Sequence, residues 1–220
     1  MARDTARPRV LLTGFGPFPG VPENPSGWLA EALAVRGAPN CDVRGHVLPT
    51  EWDAVAALTP HLHESLQPHV MIHFGVSAGA TGLRIERTAH NRAESRSDAC
   101  GAKPASNTIV SEGPTRLETG LPVTELAAHL RAQGHAARAS HSCGRYLCNF
   151  LYYRSLEQTR REGGDALFIH VPLTRAQGGQ LSRDALLEAA QETVKFVLDA
   201  AQIPRPRAVE RATAIDEVRQ

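Results

Sequence analysis

Scarcity does most of the excluding in this sequence. Cysteine occurs four times in 220 residues, at Cys41, Cys100, Cys143 and Cys148, and never as C-x-x-C. Cys143 and Cys148 lie five apart with no matching second pair, so the ligand spacing of a zinc site is missing. Histidine does not supply it either. His61 and His63 are two apart on an expected helix and do not share a face, His69 and His73 fall on an expected strand, and no H-E-x-x-H occurs. We therefore expect no metal. Neither sign of charge dominates, with 24 basic residues against 23 acidic. That balance gives no reason to expect nucleic acid or an anionic membrane as a partner. Long apolar runs are absent too. The opening "MARDTARPRV" is polar, and the run after it is cut by glycine, so neither a signal peptide nor a membrane span is expected. A cytoplasmic location with reduced thiols is the resulting expectation.

What is present reads as one globular unit. Apolar residues at 42% and charged residues at 21% are ordinary for a folded soluble chain. Strand-like runs alternate with helix-like runs: "RVLLTGF", "NPSGWLAEALAV", "CDVRGHVLP", "TEWDAVAALTPHLHESL" and "PHVMIHFGV" come first. Asn24-Pro25-Ser26 signals a helix start, and Thr50 is a candidate cap for the next helix. "LRIERTAHN" is expected as a strand or extended segment. Residues 92–120 read as loop, with a short strand at Asn107–Val110. "PVTELAAHLRAQG", "HAARASHS", "RYLCNFLYYRSLEQTRREGG", "DALFIHVP" and "LSRDALLEAAQETVKFVLDAA" follow as helix, weak strand, helix, strand and helix. This alternation predicts an α/β fold with a mostly parallel central sheet flanked by helices. We expect one domain over 1–202 and a Pro/Arg-rich tail over 203–220.

The chemistry-bearing residues fall where strands end and helices begin, which is where α/β sheets carry function. Cys148 stands in the first turn or two of its helix, where backbone N–H groups favour a thiolate. It could equally be a small core residue. His170, in "FIHVP", ends the last clear strand and could serve as a base or pack as a core histidine. Alternation puts Leu83 and Ile85 on one side of "LRIER" and Arg84 and Glu86 on the other. Glu86 could orient an imidazole or form a surface ion pair with Arg84, Arg87 or a helix residue. "TGFGPFPG" occupies the slot of a phosphate loop, but it lacks the third glycine of a dinucleotide fingerprint and the Gly-Lys-Ser/Thr of a Walker loop. It carries Phe15 and Phe18 instead, two of only six phenylalanines. Exposed aromatics on a rigid turn suit a flat apolar ligand; core packing is the other reading.

Four ordered motifs together resemble the pyrrolidone-carboxylate peptidases (pyroglutamyl peptidase I, peptidase family C15). These are "LLTGFGPF" with "NPS", "HFGVSAG" with "LRIERTAHN", "GRYLCNFLYYRSL", and "FIHVP". They span roughly residues 8 to 200. The resemblance implies a three-layer phosphorylase/hydrolase-like fold and removal of N-terminal 5-oxoproline from peptides. It implies Cys148 as nucleophile, His170 as general base and then acid, and Glu86 as the residue that orients the imidazole. It also implies a substrate pocket drawn from Phe15, Phe18, Tyr146, Val76, Asn24 and Arg96. Val76 stands where many bacterial members have glutamine, Tyr146 where phenylalanine is common, and residues 92–105 match weakly. Family members are often dimers or tetramers, so a homo-oligomer is compatible with the resemblance. The implied partners are N-terminally pyroglutamylated peptides, and the implied chemistry needs no metal or organic cofactor. A diverged homologue that binds a lactam-like ligand without turnover is the alternative.

Overall fold

A computed structural model describes residues 7–201 of the chain. The expected 203–220 tail lies outside the described residues. Six strands form one sheet in the order β2-β1-β3-β8-β4-β7: β1 (Arg9–Phe15), β2 (Asp42–Leu48), β3 (Val70–Val76), β4 (Leu83–Glu86), β7 (Ala137–Ser140) and β8 (Asp165–Val171). Helices α1 (Pro25–Arg36), α3 (Val123–Ala132) and α5 (Arg183–Ala200) cover one face. Helices α2 (Trp52–Leu66) and α4 (Leu147–Glu162) cover the other, with a small hairpin of β5 (Thr88–His90) and β6 (Arg116–Glu118). This is a three-layer arrangement with a core on each side of the sheet.

The alternation of side chains along the strands divides those cores. Leu12, Ile72, Ile85 and Ile169 point to the α1/α3/α5 side. Leu11, Met71 and Phe168 point to the α2/α4 side. Gly14 lets α1 lie directly on β1, since a Cβ there would fall inside the Ser26 carbonyl. Helix α1 starts as expected: Asn24 Oδ1 accepts from the Ser26 N–H at 3.1 Å, with Pro25 first in the helix, and Gly37 ends it.

Several local expectations are corrected. Helix α2 is not capped by Thr50, whose hydroxyl donates to the Gly16 carbonyl instead. Glu51 occupies the cap position without a capping side chain, and the Asp98 carboxylate accepts from the Trp52 N–H at 2.9 Å. No strand forms at residues 107–110. The amides of Ile109 and Val110 donate to Asn91 Oδ1, and the strand of this region is β6. "LRIERTAHN" breaks at Arg87 into β4 and β5. The sheet is mostly but not wholly parallel: β4 and β7 are parallel to each other, while β4 runs antiparallel to β8.

A chain of neutral polar groups crosses the α2/α4 core. Thr13 Oγ1 lies 2.8 Å from His73 Nδ1, His73 Nε2 lies 2.9 Å from Ser155 Oγ, and Ser155 Oγ lies 3.4 Å from His63 Nε2. A neutral imidazole has one donor and one acceptor, and two rotatable hydroxyls can match either tautomer. Burial holds both rings neutral. It lowers His63 to about 4 and His73 to about 3, the latter also depressed by His63.

The consequence for stability has a definite sign. A histidine in the unfolded chain titrates near 6.5. Above that pH neither state is protonated at these rings. As pH falls below about 6.5, the unfolded chain takes up protons that the folded core refuses, and stability declines. The urea midpoint is expected to fall between about pH 7 and about pH 5, and to fall less in His63→Gln. Equal slopes in both proteins would show that this chain does not exclude protons.

Candidate active site

The last residues of β8 and the first turn of α4 meet at the α2/α4 face of the sheet. Helix α4 begins at Leu147, two residues later than "RYLCNF" suggests, with Tyr146 at the cap position. That places Cys148 second in the helix, where the N–H groups of the first turn have no partner within the helix. Cys148 is half-buried. Its thiol neighbours the His170 imidazole and favours that ring's charged form.

His170 is the sixth residue of β8 and is buried. Its Nδ1 lies 2.8 Å from Glu86 Oε1. With Nδ1 engaged, Nε2 is the ring nitrogen left for Cys148. Glu86 reaches the ring because β4 is antiparallel to β8. Glu86 pairs with Phe168 and Arg84 with His170, so the carboxylate sits diagonally across the ladder on the same face as the ring. Glu86 is fully buried. Burial works against an imidazolium at His170. Its hydrogen bonds to Cys148 and Glu86, and their charges, outweigh that and push its pKa up to about 9.

Glu86 is no surface ion pair, yet its carboxylate has two charged neighbours. It faces His170, and its Oε1 also lies 3.3 Å from Arg84 Nη2. Cys143 sits buried beside the same groups. Burial raises its thiol well above the ordinary value, and Cys148 and Glu86 push the same way. Cys100, Cys143 and Cys148 are free thiols.

Gly75 shapes the space in front of the sulfur. A Cβ there would stand 2.9 Å from Cys148 Sγ and 2.7 Å from Phe168 Cζ. Cross-strand register puts Gly75 directly beside His170. The thiol, the imidazole and the carboxylate thus form a line from half-exposed to fully buried. Such a line can hold a thiolate–imidazolium pair and move a proton between sulfur and a leaving group.

The chain matches the family model described as pyroglutamyl peptidase over residues 8–194. It belongs to that family. It is 32% identical to pyroglutamyl-peptidase 1 of Homo sapiens over 88% of this chain and 91% of that protein. It is likewise 32% identical to the pyrrolidone-carboxylate peptidase of Pyrococcus furiosus, over 88% and 97% of the two chains. Among solved structures, the pyrrolidone carboxyl peptidase from Thermococcus litoralis superposes with a TM-score of 0.83 at 30% identity, covering 87% of this chain and 94% of that one. The chain is accordingly an enzyme of the pyroglutamyl-peptidase I type, a cysteine peptidase.

The other residues singled out from sequence are placed unevenly. Phe15 is not an exposed aromatic; it ends β1 with its ring buried in the α2/α4 core. Phe18 is half-buried in the turn after it. Asn24 is buried and committed to the fold, donating from Nδ2 to the Gly16 carbonyl while its Oδ1 holds Ser26. Val76 ends β3, half-buried. Tyr146 and Arg96 do come together: the Arg96 guanidinium lies 4.7 Å above the Tyr146 ring, and the Tyr146 hydroxyl donates to the Ser97 carbonyl at 3.1 Å. Burial raises the Tyr146 phenol, with Arg96 opposing, so it is a neutral donor at ordinary pH.

Sequence reasoning missed three supports of this site. Trp52 stacks edge-on against Tyr146 and donates from its indole to the Arg96 carbonyl. Asp98 accepts from Trp52, Cys100 and Ala102 amides, closing the loop onto α2. Asn149 acts as a substitute strand: Oδ1 accepts from the His90 N–H at 2.7 Å, while Nδ2 donates to the His90 and Arg92 carbonyls. An asparagine directly after a candidate cysteine was a visible signal, but nothing local names its partner. Among the described residues, no group of histidine, cysteine and acidic side chains could hold a metal ion. No described helix is long and apolar enough to cross a membrane.

Gly75→Ala tests the geometry. The added methyl must displace the sulfur, so hydrolysis of a pyroglutamyl substrate is expected to fall about 10- to 100-fold in kcat/KM. Gly79→Ala, where a Cβ meets nothing within 4 Å, is the control expected to change little. Equal rates in the two variants would show that the space at Gly75 does not matter.

Proposed function

We propose that this enzyme hydrolyses the bond after an N-terminal pyroglutamyl (5-oxoproline) residue, using Cys148, His170 and Glu86 as a catalytic triad through an acyl-enzyme. The observation that carries the reading is the line Cys148–His170–Glu86, with the buried 2.8 Å contact at its inner end. Family membership and the relatives' names support the substrate class.

His170, held by Glu86 at Nδ1, keeps Nε2 toward Cys148 and takes its proton. The thiolate, favoured by the helix N-terminus and the imidazolium, attacks the pyroglutamyl carbonyl carbon. The oxyanion that forms is met by unpaired N–H groups of the first turn of α4. The tetrahedral intermediate collapses, the C–N bond breaks, and His170 gives its proton to the departing amine. A water molecule, deprotonated by His170, then attacks the thioester. 5-oxoproline leaves and the thiol is restored. Glu86 holds the ring and stabilises its charged form in each transfer.

The substrate's ring is compact, flat and uncharged and offers no free amine. Phe18 and Tyr146 are suited to be its apolar walls, and backbone groups of the glycine-rich turns can meet the ring amide. Arg96, largely exposed above Tyr146, stands at the rim, where the chain beyond the ring would pass. A thiol nucleophile, with Cys100 and Cys143 also free thiols, suits a reducing compartment, so we assign the enzyme to the cytoplasm.

The test is release of aminomethylcoumarin from its pyroglutamyl amide, with and without reductant. Cys148→Ala is expected to lose on the order of a thousandfold or more while staying folded. With His170 raised to about 9, kcat/KM should decline as pH rises through that region, because the imidazolium that protonates the leaving amine is lost. Undiminished turnover in Cys148→Ala would remove Cys148 from the reaction. No release from the folded, reduced wild type would leave a lactam-binding homologue in its place.

A further inference from the structure

Glu86 has a second charged neighbour that the steps above do not use. Arg84, two residues earlier on the same face of β4, brings Nη2 to 3.3 Å from Glu86 Oε1. The same nitrogen donates to Ser140 Oγ at 3.2 Å and to the Ser142 carbonyl at 3.4 Å. Ser140 ends β7, directly opposite Glu86 in the β4–β7 ladder. Arg84 itself is opposite His170 in the β4–β8 ladder. The guanidinium is therefore wedged between the carboxylate and the turn that leads to Cys148, with three-quarters of the side chain covered.

Two side-chain atoms among the described residues are buried without a hydrogen-bond partner, Arg84 Nε and Glu86 Oε2. They belong to one pair. An arginine and a carboxylate joined for hydrogen bonding set two N–H groups against two oxygens in a fork. Here the guanidinium is turned toward Ser140 and Ser142 instead. What Glu86 receives from it is mainly charge. A fixed cation sheltered from water acts on every ionisable group around it.

We propose that Arg84 is a positioning residue of this site: it holds Glu86 in place and sets the pH window over which Cys148 and His170 carry opposite charges. This rests on the reading of Cys148 and His170 as the reacting pair. The ionisable groups around His170 are Glu86 and Arg84 from β4, Cys148 and Tyr152 from α4, Cys143 from the turn before α4, and His73 from β3. Arg84 is the permanent cation of this set. It favours the thiolate and opposes the imidazolium. Both edges of the window therefore lie lower than they would without it.

The experiment follows alkylation of Cys148 by iodoacetamide against pH, read by mass spectrometry, which needs no turnover. In Arg84→Gln, which removes the charge and keeps donors for Ser140 and Ser142, both edges should move up by about half a unit to one unit. Arg84→Lys should leave them within about 0.2 unit of wild type. The same displacement should appear in kcat/KM against pH. Arg84→Met serves as the second neutral variant if Arg84→Gln does not fold. A lower rate with unmoved edges would overturn the proposal and make Arg84 a structural brace only, as would edges that move equally in Arg84→Lys. If wild type shows the two-edged alkylation profile but releases no pyroglutamate, the substrate reading fails while the comparison of Arg84 variants still decides this one. A wild-type thiol that alkylates in a single ordinary step would mean there is no charged pair to tune, and the proposal would fall.

Discussion

The contact between His170 Nδ1 and Glu86 Oε1 constrains more of this molecule than any other single pair. It spans the one junction where the sheet reverses direction, between β8 and β4. A parallel β4 would carry its carboxylate to a different level relative to His170. The reversal brings Glu86 level with Phe168, one diagonal step from the ring. Because Glu86 is fully buried, its charge must be matched there or be costly. His170 and Arg84 both answer that demand at the same oxygen, and each of them is in turn tied to the segment that carries Cys148.

A second framework surrounds the first. The N-termini of α2 and α4 are joined through residues 96–98: Trp52 and Tyr146 stack on each other, and each holds a backbone carbonyl of that loop. Asp98 caps α2 from the loop side. Asn149 pins the chain at His90 and Arg92. The loop that contains residues 96–98 is therefore fastened at several points to the two helices flanking the thiol. Its sequence can differ while the position of the thiol is kept.

Much of the architecture was legible because it is periodic. The strand and helix order, the starts at Asn24 and near Cys148, and the shared side of Arg84 and Glu86 follow from spacing and caps. What stayed hidden depends on partners far along the chain. The α2 cap is supplied by Asp98, 46 residues away, so local sequence pointed to Thr50 instead. The partner of Asn91 is the backbone of residues 109 and 110, which removed an expected strand. Alternation says which side a residue faces but not which way a strand runs, so the reversal at β4 left no trace in it. Phe15 takes the core-packing reading for a simpler reason. As the last residue of a buried strand it follows the inward alternation, and only Phe18 belongs to the turn.

Cys148, Tyr152 and Ser155 share one face of α4, and Ser155 is two turns below the thiol, about 10.5 Å along the axis. At Ser155 the helix is gripped by His73 of the sheet and His63 of α2, while the Tyr152 hydroxyl grips the Glu86 carbonyl. Apolar packing alone would let a helix creep along the sheet with little penalty. These directional bonds act as a detent: a slide of one residue, about 1.5 Å, would break all of them together. The height of the sulfur above the sheet is thus indexed from deep in the core, and a neutral polar rod far from any substrate sets where the reacting atom stands.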